Sequence, residues 1–99
     1  MSASTKLVEK LEGIDNFRAW KYRIGLILAK NDLSRFIKEE VEEPEDVIEK
    51  EKYQKDSIRA QRVIADSIKD HLIPYLSSKK TPKEMFDAIR KLYEGKNIN

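Results

Sequence analysis

The chain has 99 residues, of which 39% are hydrophobic and 38% charged, so it suits one small folded domain rather than a disordered chain. Its net charge of +2 argues against a dedicated nucleic-acid-binding domain, which carries a concentrated basic surplus. The lack of cysteine excludes disulfides and thiolate nucleophiles, and no apolar window is long enough to span a membrane. The polar N-terminus does not resemble a secretory signal, so we expect a cytoplasmic protein.

The first helical pattern covers residues 17–30. Its apolar residues recur at three- and four-residue spacing and therefore share one face: Phe17, Trp20, Ile24, Ile27 and Leu28. Asp15 or Asn16 can cap this helix, and Gly13 before it can adopt positive φ at low cost. Gly25 inside the helix is unfavourable by about 1 kcal/mol relative to alanine and indicates close packing against a neighbour.

A short second helix is predicted to follow, with Asp32 as its N-cap and Leu33, Phe36 and Ile37 as its apolar residues. The acidic stretch 39–49 then reads as a solvated loop that runs into a helix, with Pro44 in the first helical turn. It lacks the Asp/Asn alternation and the turn glycine of an EF-hand loop, so we predict no metal site there.

A long helix is predicted from about residue 45 to residue 72, with a possible break over residues 50–55. Ala60 allows a neighbouring helix to approach closely, and Pro74 ends the pattern. The apolar side of this helix is predicted to contain Ile58, Val63, Ile64, Ala65, Ile68 and Leu72.

The clearest helix start in the chain lies at Thr81, with Pro82 at the first helical position and Glu84 completing a capping box. Gly95 is placed to end this last helix. Its apolar face is predicted to contain Met85, Phe86, Ile89, Leu92 and Tyr93.

These patterns predict an all-α fold, a compact bundle of four or five helices around one core, with no strand of useful length. Residues 1–6 are predicted to form a flexible tail, residues 7–95 one domain, and residues 96–99 its C-terminal end. The predicted core consists of Leu11, Phe17, Trp20, Ile24, Leu28, Phe36, Ile64, Ile68, Leu72, Met85, Phe86, Ile89 and Leu92.

Catalysis is poorly supported by the sequence. The single histidine, His71, follows Asp70, but adjacent helical residues point about 100° apart and seldom face one site. Three scattered glycines do not make a phosphate-binding loop. We therefore expect no enzymatic activity, no catalytic residue, no cofactor and no small-molecule substrate.

Some side chains fall outside the predicted core and are candidates for an interaction surface. Tyr22, Tyr53 and Tyr75 are aromatic residues outside the main apolar faces, and Arg59 and Arg62 lie on the long helix. Aromatic and basic side chains of this kind serve protein interfaces and also stack on single-stranded bases.

Three blocks of the chain resemble the Gag polyproteins of copia-type LTR retrotransposons. They are LEGIDNFRAWKYRI at residues 11–24, DSIRAQRVIADSIKDHLIPYL at 56–76 and TPKEMFDAIRKLYE at 81–94. They occur in the family's order and together cover about residues 7–99. The chain departs from the usual pattern with Phe17 in place of tyrosine, Phe86 in place of tryptophan and Pro82 in place of alanine, and none of these changes conflicts with the resemblance.

The resemblance implies a capsid-type N-terminal lobe that builds the shell of a retrotransposon virus-like particle, with RNA packaged inside. It implies weak homo-oligomerisation of this domain, and RNA binding mainly by a second lobe and a zinc knuckle that would follow residues 96–99. One alternative is a domesticated Gag-derived module that binds a partner peptide in a groove. That groove would be lined by Ile14, Tyr22, Tyr53 and Tyr75. A further alternative is direct nucleic-acid binding through Arg59, Arg62, Lys69, Lys79 and Lys80.

Overall fold

The computed structural model describes residues 9–94, which contain four α-helices and two 3-10 helices joined by loops. Within this range, β-structure is limited to one isolated bridge between Leu11 and Ile68, so the all-α prediction is confirmed. The predicted tail at residues 1–6, the helix end at Gly95 and the segment 96–99 lie outside the described residues. The α-helices are α1 (Phe17–Lys30), α2 (Arg35–Lys38), α3 (Val47–Asp66) and α4 (Pro82–Tyr93), and the 3-10 helices are Ile14–Asn16 and Asp70–Tyr75.

Helix α1 covers the predicted residues 17–30, but it begins differently from the prediction. The Asn16 side chain makes no capping bond to α1. Its Oδ1 accepts hydrogen bonds from the backbone N–H of Glu12 (3.0 Å) and Gly13 (3.3 Å), and its Nδ2 donates to the Lys10 carbonyl (2.9 Å). Asn16 therefore closes the loop that precedes the helix. Gly13 has a φ of 179°, which is extended backbone that any residue adopts, so the entry into the helix does not use the positive φ that glycine allows.

The prediction that Asp32 caps the second helix was also wrong, because Asp32 ends α1. Its φ of 59° lies in the left-handed region. The N–H of Leu33 donates to the Leu28 carbonyl (2.7 Å) and that of Asp32 to the Ala29 carbonyl (3.1 Å). This hydrogen-bond pair is a Schellman motif, which satisfies carbonyls at the end of α1 and turns the chain into α2.

Helix α3 begins and ends inside its predicted range. The Asp46 carboxylate accepts a hydrogen bond from the Glu49 N–H (3.1 Å) as the N-cap, so Pro44 precedes the helix instead of lying in its first turn. The helix ends at Asp66 and does not continue to Leu72. Ile58 is 58% exposed, so its predicted place on the apolar side was wrong.

Helix α3 ends where the following residues form hydrogen bonds with the segment that precedes α1. The Leu11 N–H donates to the Ser67 carbonyl and the Lys69 N–H donates to the Leu11 carbonyl, both at 2.9 Å. The indole N–H of Trp20 donates to the Ser67 hydroxyl (2.8 Å), which in turn donates to the Ile64 carbonyl (2.7 Å). These bonds tie the segment before α1, α1 itself and the end of α3 together.

Helix α4 starts as predicted and packs against α2 and α3. Thr81 Oγ1 accepts from the Glu84 N–H (3.1 Å), with Pro82 at the first position. The Glu84 carboxylate accepts from the Lys80 N–H (2.9 Å) rather than from that of Thr81, so the capping box is shifted by one residue. Aromatic pairs join α1 to α4, with ring centroids 5.9 Å apart for Trp20–Phe86 and 5.3 Å for Phe17–Tyr93.

The core lies between α1, α3 and α4. Leu92, one of its predicted members, is only partly buried because it lies at the edge of the core. Gly25 has nothing within 4 Å of an added Cβ, so the predicted close approach of a neighbour was wrong. Every helix within residues 9–94 is too short or too polar to cross a lipid bilayer. The buried apolar residues are Leu11, Phe17, Trp20, Ile24, Leu28, Leu33, Phe36, Ala60, Ile64, Ile68, Leu72, Leu76, Met85, Phe86 and Ile89.

Candidate interaction surface

The outward side of α1 carries an apolar stripe opposite the core. Tyr22 is 70% exposed and Leu26 is 54% exposed, and they are neighbours at four-residue spacing on one face. Ala19 and Ala29 are exposed and extend the same line by a turn at each end. Since a helix that faces water on one side is normally polar there, this stripe marks a candidate contact surface, and we call it the α1 stripe.

Both edges of the α1 stripe are basic. At 100° per residue, Arg18 lies along one edge and Arg23 and Lys30 along the other, and all three are exposed. No residue of α1 is acidic. The α1 stripe therefore combines an apolar centre with a positive rim.

A second unusual surface is the acidic segment, which we define as residues 39–51. It contains eight acidic residues and one basic residue, Lys50. It also presents two large apolar side chains to solvent, Val47 at 74% and Ile48 at 77% exposure. Because every residue from Val47 to Lys52 is exposed, the first part of α3 contributes nothing buried to the core.

Asp56 is the centre of an ion-pair cluster between α2 and α3. Its carboxylate lies 2.8 Å from Lys52 Nζ, 3.3 Å from Arg59 and 3.4 Å from Arg35, while its side chain is only 10% exposed. The hydrogen bond from Lys52, with help from Arg59 and Arg35, lowers the Asp56 pKa against the opposing effect of burial. Arg59, a predicted surface residue, is thus exposed but paired within the fold, whereas Arg62 is exposed on the next turn.

The C-terminal end of α4 holds further ion pairs. Glu94 forms ion pairs with Lys21 and, at 3.0 Å, with Arg90. The hydrogen bond from Lys21 is the main cause of a lowered Glu94 pKa, and the contact with Arg90 lowers it further. Asp87 pairs with Lys83 and with Arg90. In contrast, no ion pair among residues 9–94 includes a basic residue at the rim of the α1 stripe or a member of the acidic segment.

The predicted tyrosines do not share one role. Tyr22 belongs to the α1 stripe, and Tyr75 is 50% exposed in the second 3-10 helix. Tyr53 is partly buried, its ring centroid lies 5.9 Å from that of Phe36, and its hydroxyl donates to the Val41 carbonyl (3.2 Å). Tyr53 therefore packs within the fold, and its part in an interaction surface stays a prediction.

The remaining candidates are spread over the surface. Ile14 is 44% exposed in the first 3-10 helix, and Lys69, Lys79 and Lys80 are exposed on either side of the second. The Nε2 atom of His71 lies 2.9 Å from the Glu12 carbonyl, so this histidine links the loop before α1 to the second 3-10 helix.

Among residues 9–94, the His, Asp and Glu side chains do not gather in a group of three or more that could hold a metal ion. Every buried polar side-chain atom in the same range has a hydrogen-bond partner. The unusual features of the described chain are therefore the two surfaces, the α1 stripe and the acidic segment.

The exposed apolar residues Leu26, Val47 and Ile48 were not predicted from the sequence as surface candidates. Leu26 lies outside the core spacing of α1, and a helical projection of residues 17–30 places it with Tyr22 on the side opposite the core face. The exposure of Val47 and Ile48 has no comparable local signal, because it depends on how much of α3 is covered by the other helices.

No family model, no curated protein and no solved structure was found to match this chain.

Proposed function

We propose that this chain is a capsid-like domain of the copia-type Gag class, which self-associates in the shell of a virus-like particle that packages RNA. The observation that carries the proposal is the α1 stripe, an apolar line centred on Tyr22 and Leu26 on a helix whose other side is in the core. Such a surface suits a protein contact, since the burial of exposed apolar area favours association.

The size of the α1 stripe supports weak association. Its two large side chains are flanked by alanines and charged residues, which is far less apolar area than an obligate dimer interface presents. Weak contacts of this kind stabilise a particle when a closed lattice multiplies them. A highly charged domain that is monomeric when dilute and assembled when concentrated fits that mechanism.

The experiment is sedimentation velocity on the 99-residue chain over a concentration range from micromolar to millimolar. We expect the weight-average sedimentation coefficient to rise with concentration for the wild type. Leu26→Asp should abolish the rise, because it places a charge in the centre of the α1 stripe. Ile58→Asp is the matched control, since Ile58 is apolar and similarly exposed but lies on α3, and it should behave as the wild type.

The other outcomes separate the alternatives. A wild type that stays monomeric over the whole range would contradict self-association and favour the peptide-binding module. Binding of a single-stranded RNA oligonucleotide that weakens on Arg62→Glu and falls steeply with salt would favour the nucleic-acid alternative. Equal loss of association in Leu26→Asp and Ile58→Asp would show that the loss is not specific to the α1 stripe and would contradict the proposal.

A further inference from the structure

We infer that the α1 stripe of one copy docks on the acidic segment of a second copy, so that the chains associate head to tail. This inference rests on the proposed self-association and adds to it the pair of surfaces that meet. It follows from three properties of the two surfaces: their charges, their apolar centres and their being different patches of one molecule.

The charges of the two surfaces are opposite, and no ion pair between described residues neutralises them. Arg18, Arg23 and Lys30 rim the α1 stripe, and residues 39–51 hold eight acidic side chains against one basic. All seven ion pairs found among residues 9–94 lie elsewhere. Opposite potentials on two patches guide association and set its register, whereas two copies of the α1 stripe face to face would repel each other.

Both surfaces also have an apolar centre. The α1 stripe offers Tyr22 and Leu26, and the acidic segment offers Val47 and Ile48, which are among the most exposed large apolar side chains of the described chain. Contact between them would remove apolar area of both copies from water. An apolar centre with a charged rim is the usual anatomy of a specific protein interface.

The contact is heterologous because the two patches differ. Each copy that uses its α1 stripe still has its acidic segment available, and the reverse is equally true, so one contact leads to another. Head-to-tail contacts close into a ring if their rotation permits and otherwise continue as a filament. The contact should also weaken with salt, because its charged rim is exposed and the Debye length falls to about 3 Å at 1 M.

Charge reversal tests the pairing of the two surfaces. Arg18→Glu with Arg23→Glu and Lys30→Glu turns the three basic charges of the α1 rim into three acidic ones. Replacing five glutamates of the acidic segment by lysine leaves it with three acidic and six basic residues; these are Glu42, Glu43, Glu45, Glu49 and Glu51. Each charge-reversed variant should lower the association constant at least tenfold in sedimentation velocity. An equimolar mixture of the two charge-reversed variants should associate again, as should the variant that combines both sets, because both restore opposite charges.

Lys69→Glu with Lys91→Glu is the matched control, since these lysines are exposed and belong to neither surface, and it should associate as the wild type. Circular dichroism should show the same helix content for every variant. Loss of association in both charge-reversed variants without recovery in the mixture or the combined variant would overturn the inference, while self-association itself would stand. A monomeric wild type would overturn both.

Blocked variants test the head-to-tail geometry independently of charge reversal. Leu26→Asp blocks the α1 stripe, and Val47→Asp with Ile48→Asp blocks the apolar centre of the acidic segment. Each variant alone should be monomeric, and their mixture should form a 1:1 dimer by native mass spectrometry and grow no further. No dimer in the mixture, or homodimers of either variant, would contradict the head-to-tail contact.

Discussion

Replacing Ser67 with alanine tests the connection that joins α1 to the end of α3. Trp20 is 2% exposed, and its indole N–H donates to the Ser67 hydroxyl at 2.8 Å inside the core. Ser67→Ala removes this acceptor and leaves the N–H buried without a partner, which costs about 1–3 kcal/mol. A cost of this size raises the ratio of unfolded to folded chain about 5-fold to about 150-fold, against a total stability of roughly 5–15 kcal/mol for a chain of this size.

The assay is urea unfolding followed by far-ultraviolet circular dichroism, with an unchanged m-value as the sign that two-state behaviour is preserved. Ser78→Ala is the control, because Ser78 is exposed in a polar connection, and it should unfold as the wild type. In a Trp20→Phe background, Ser67→Ala should cost clearly less, since the buried donor is gone. An effect of Ser67→Ala under about 0.5 kcal/mol, or an equal effect in both backgrounds, would refute the reasoning.

Two further predictions follow from the fold. Gly25→Ala should raise the free energy of unfolding by about 0.5–1 kcal/mol, because an added Cβ meets nothing within 4 Å and alanine is the better helix former. For Asp56, the lowered pKa means that its ionised form stabilises the fold above the unfolded pKa of about 3.9, and this contribution disappears as the pH falls through the folded pKa. Asp56→Asn should therefore be less stable than the wild type at pH 6, and the difference should shrink below about pH 4.

Matched variants make both predictions specific. For Gly25→Ala, the comparison is Ala19→Gly, an exposed position on the same helix that should lose stability; a destabilised Gly25→Ala would mean that a neighbour does approach there. For Asp56→Asn, the control is Glu45→Gln, which is exposed before α3 and should change little. A difference between wild type and Asp56→Asn that stays constant from pH 6 to pH 2.5 would contradict the role of the ionised carboxylate.

Local signals were sufficient to predict α1 and α4. The three- and four-residue spacing from Phe17 to Leu28 gives one apolar face, and the Thr81-Pro82 start satisfies backbone N–H groups within the same turn. These interactions form between residues close in sequence, so the sequence records them directly.

The end of α3 could not be predicted in the same way. Ile64, Ile68 and Leu72 repeat at four-residue spacing, so the apolar pattern is consistent with an uninterrupted helix. The helix ends because the backbone on either side of Ile68 pairs with Leu11, more than fifty residues away in the chain. Tertiary hydrogen bonds of this kind override local periodicity, and they cannot be predicted from a short stretch of sequence.

The candidate surface was partly predictable. Tyr22 was chosen because it lies outside the core spacing, and it does lie in the α1 stripe. Tyr53 was chosen on the same ground, yet it packs on Phe36 because the loop that contains Val41 returns to α3. Which off-face residues remain exposed depends on loops whose path is not set by helical periodicity.

The central claim, self-association of this chain through the α1 stripe and the acidic segment, is tested most directly by residue-specific NMR. Amide chemical shifts of the ¹⁵N-labelled chain would be followed while the unlabelled chain is added. If the two surfaces meet, the amides of Tyr22, Leu26, Val47 and Ile48 should shift progressively, and the amides around Ser67 should stay unchanged. Shifts confined to other surfaces, or none up to millimolar concentration, would contradict it.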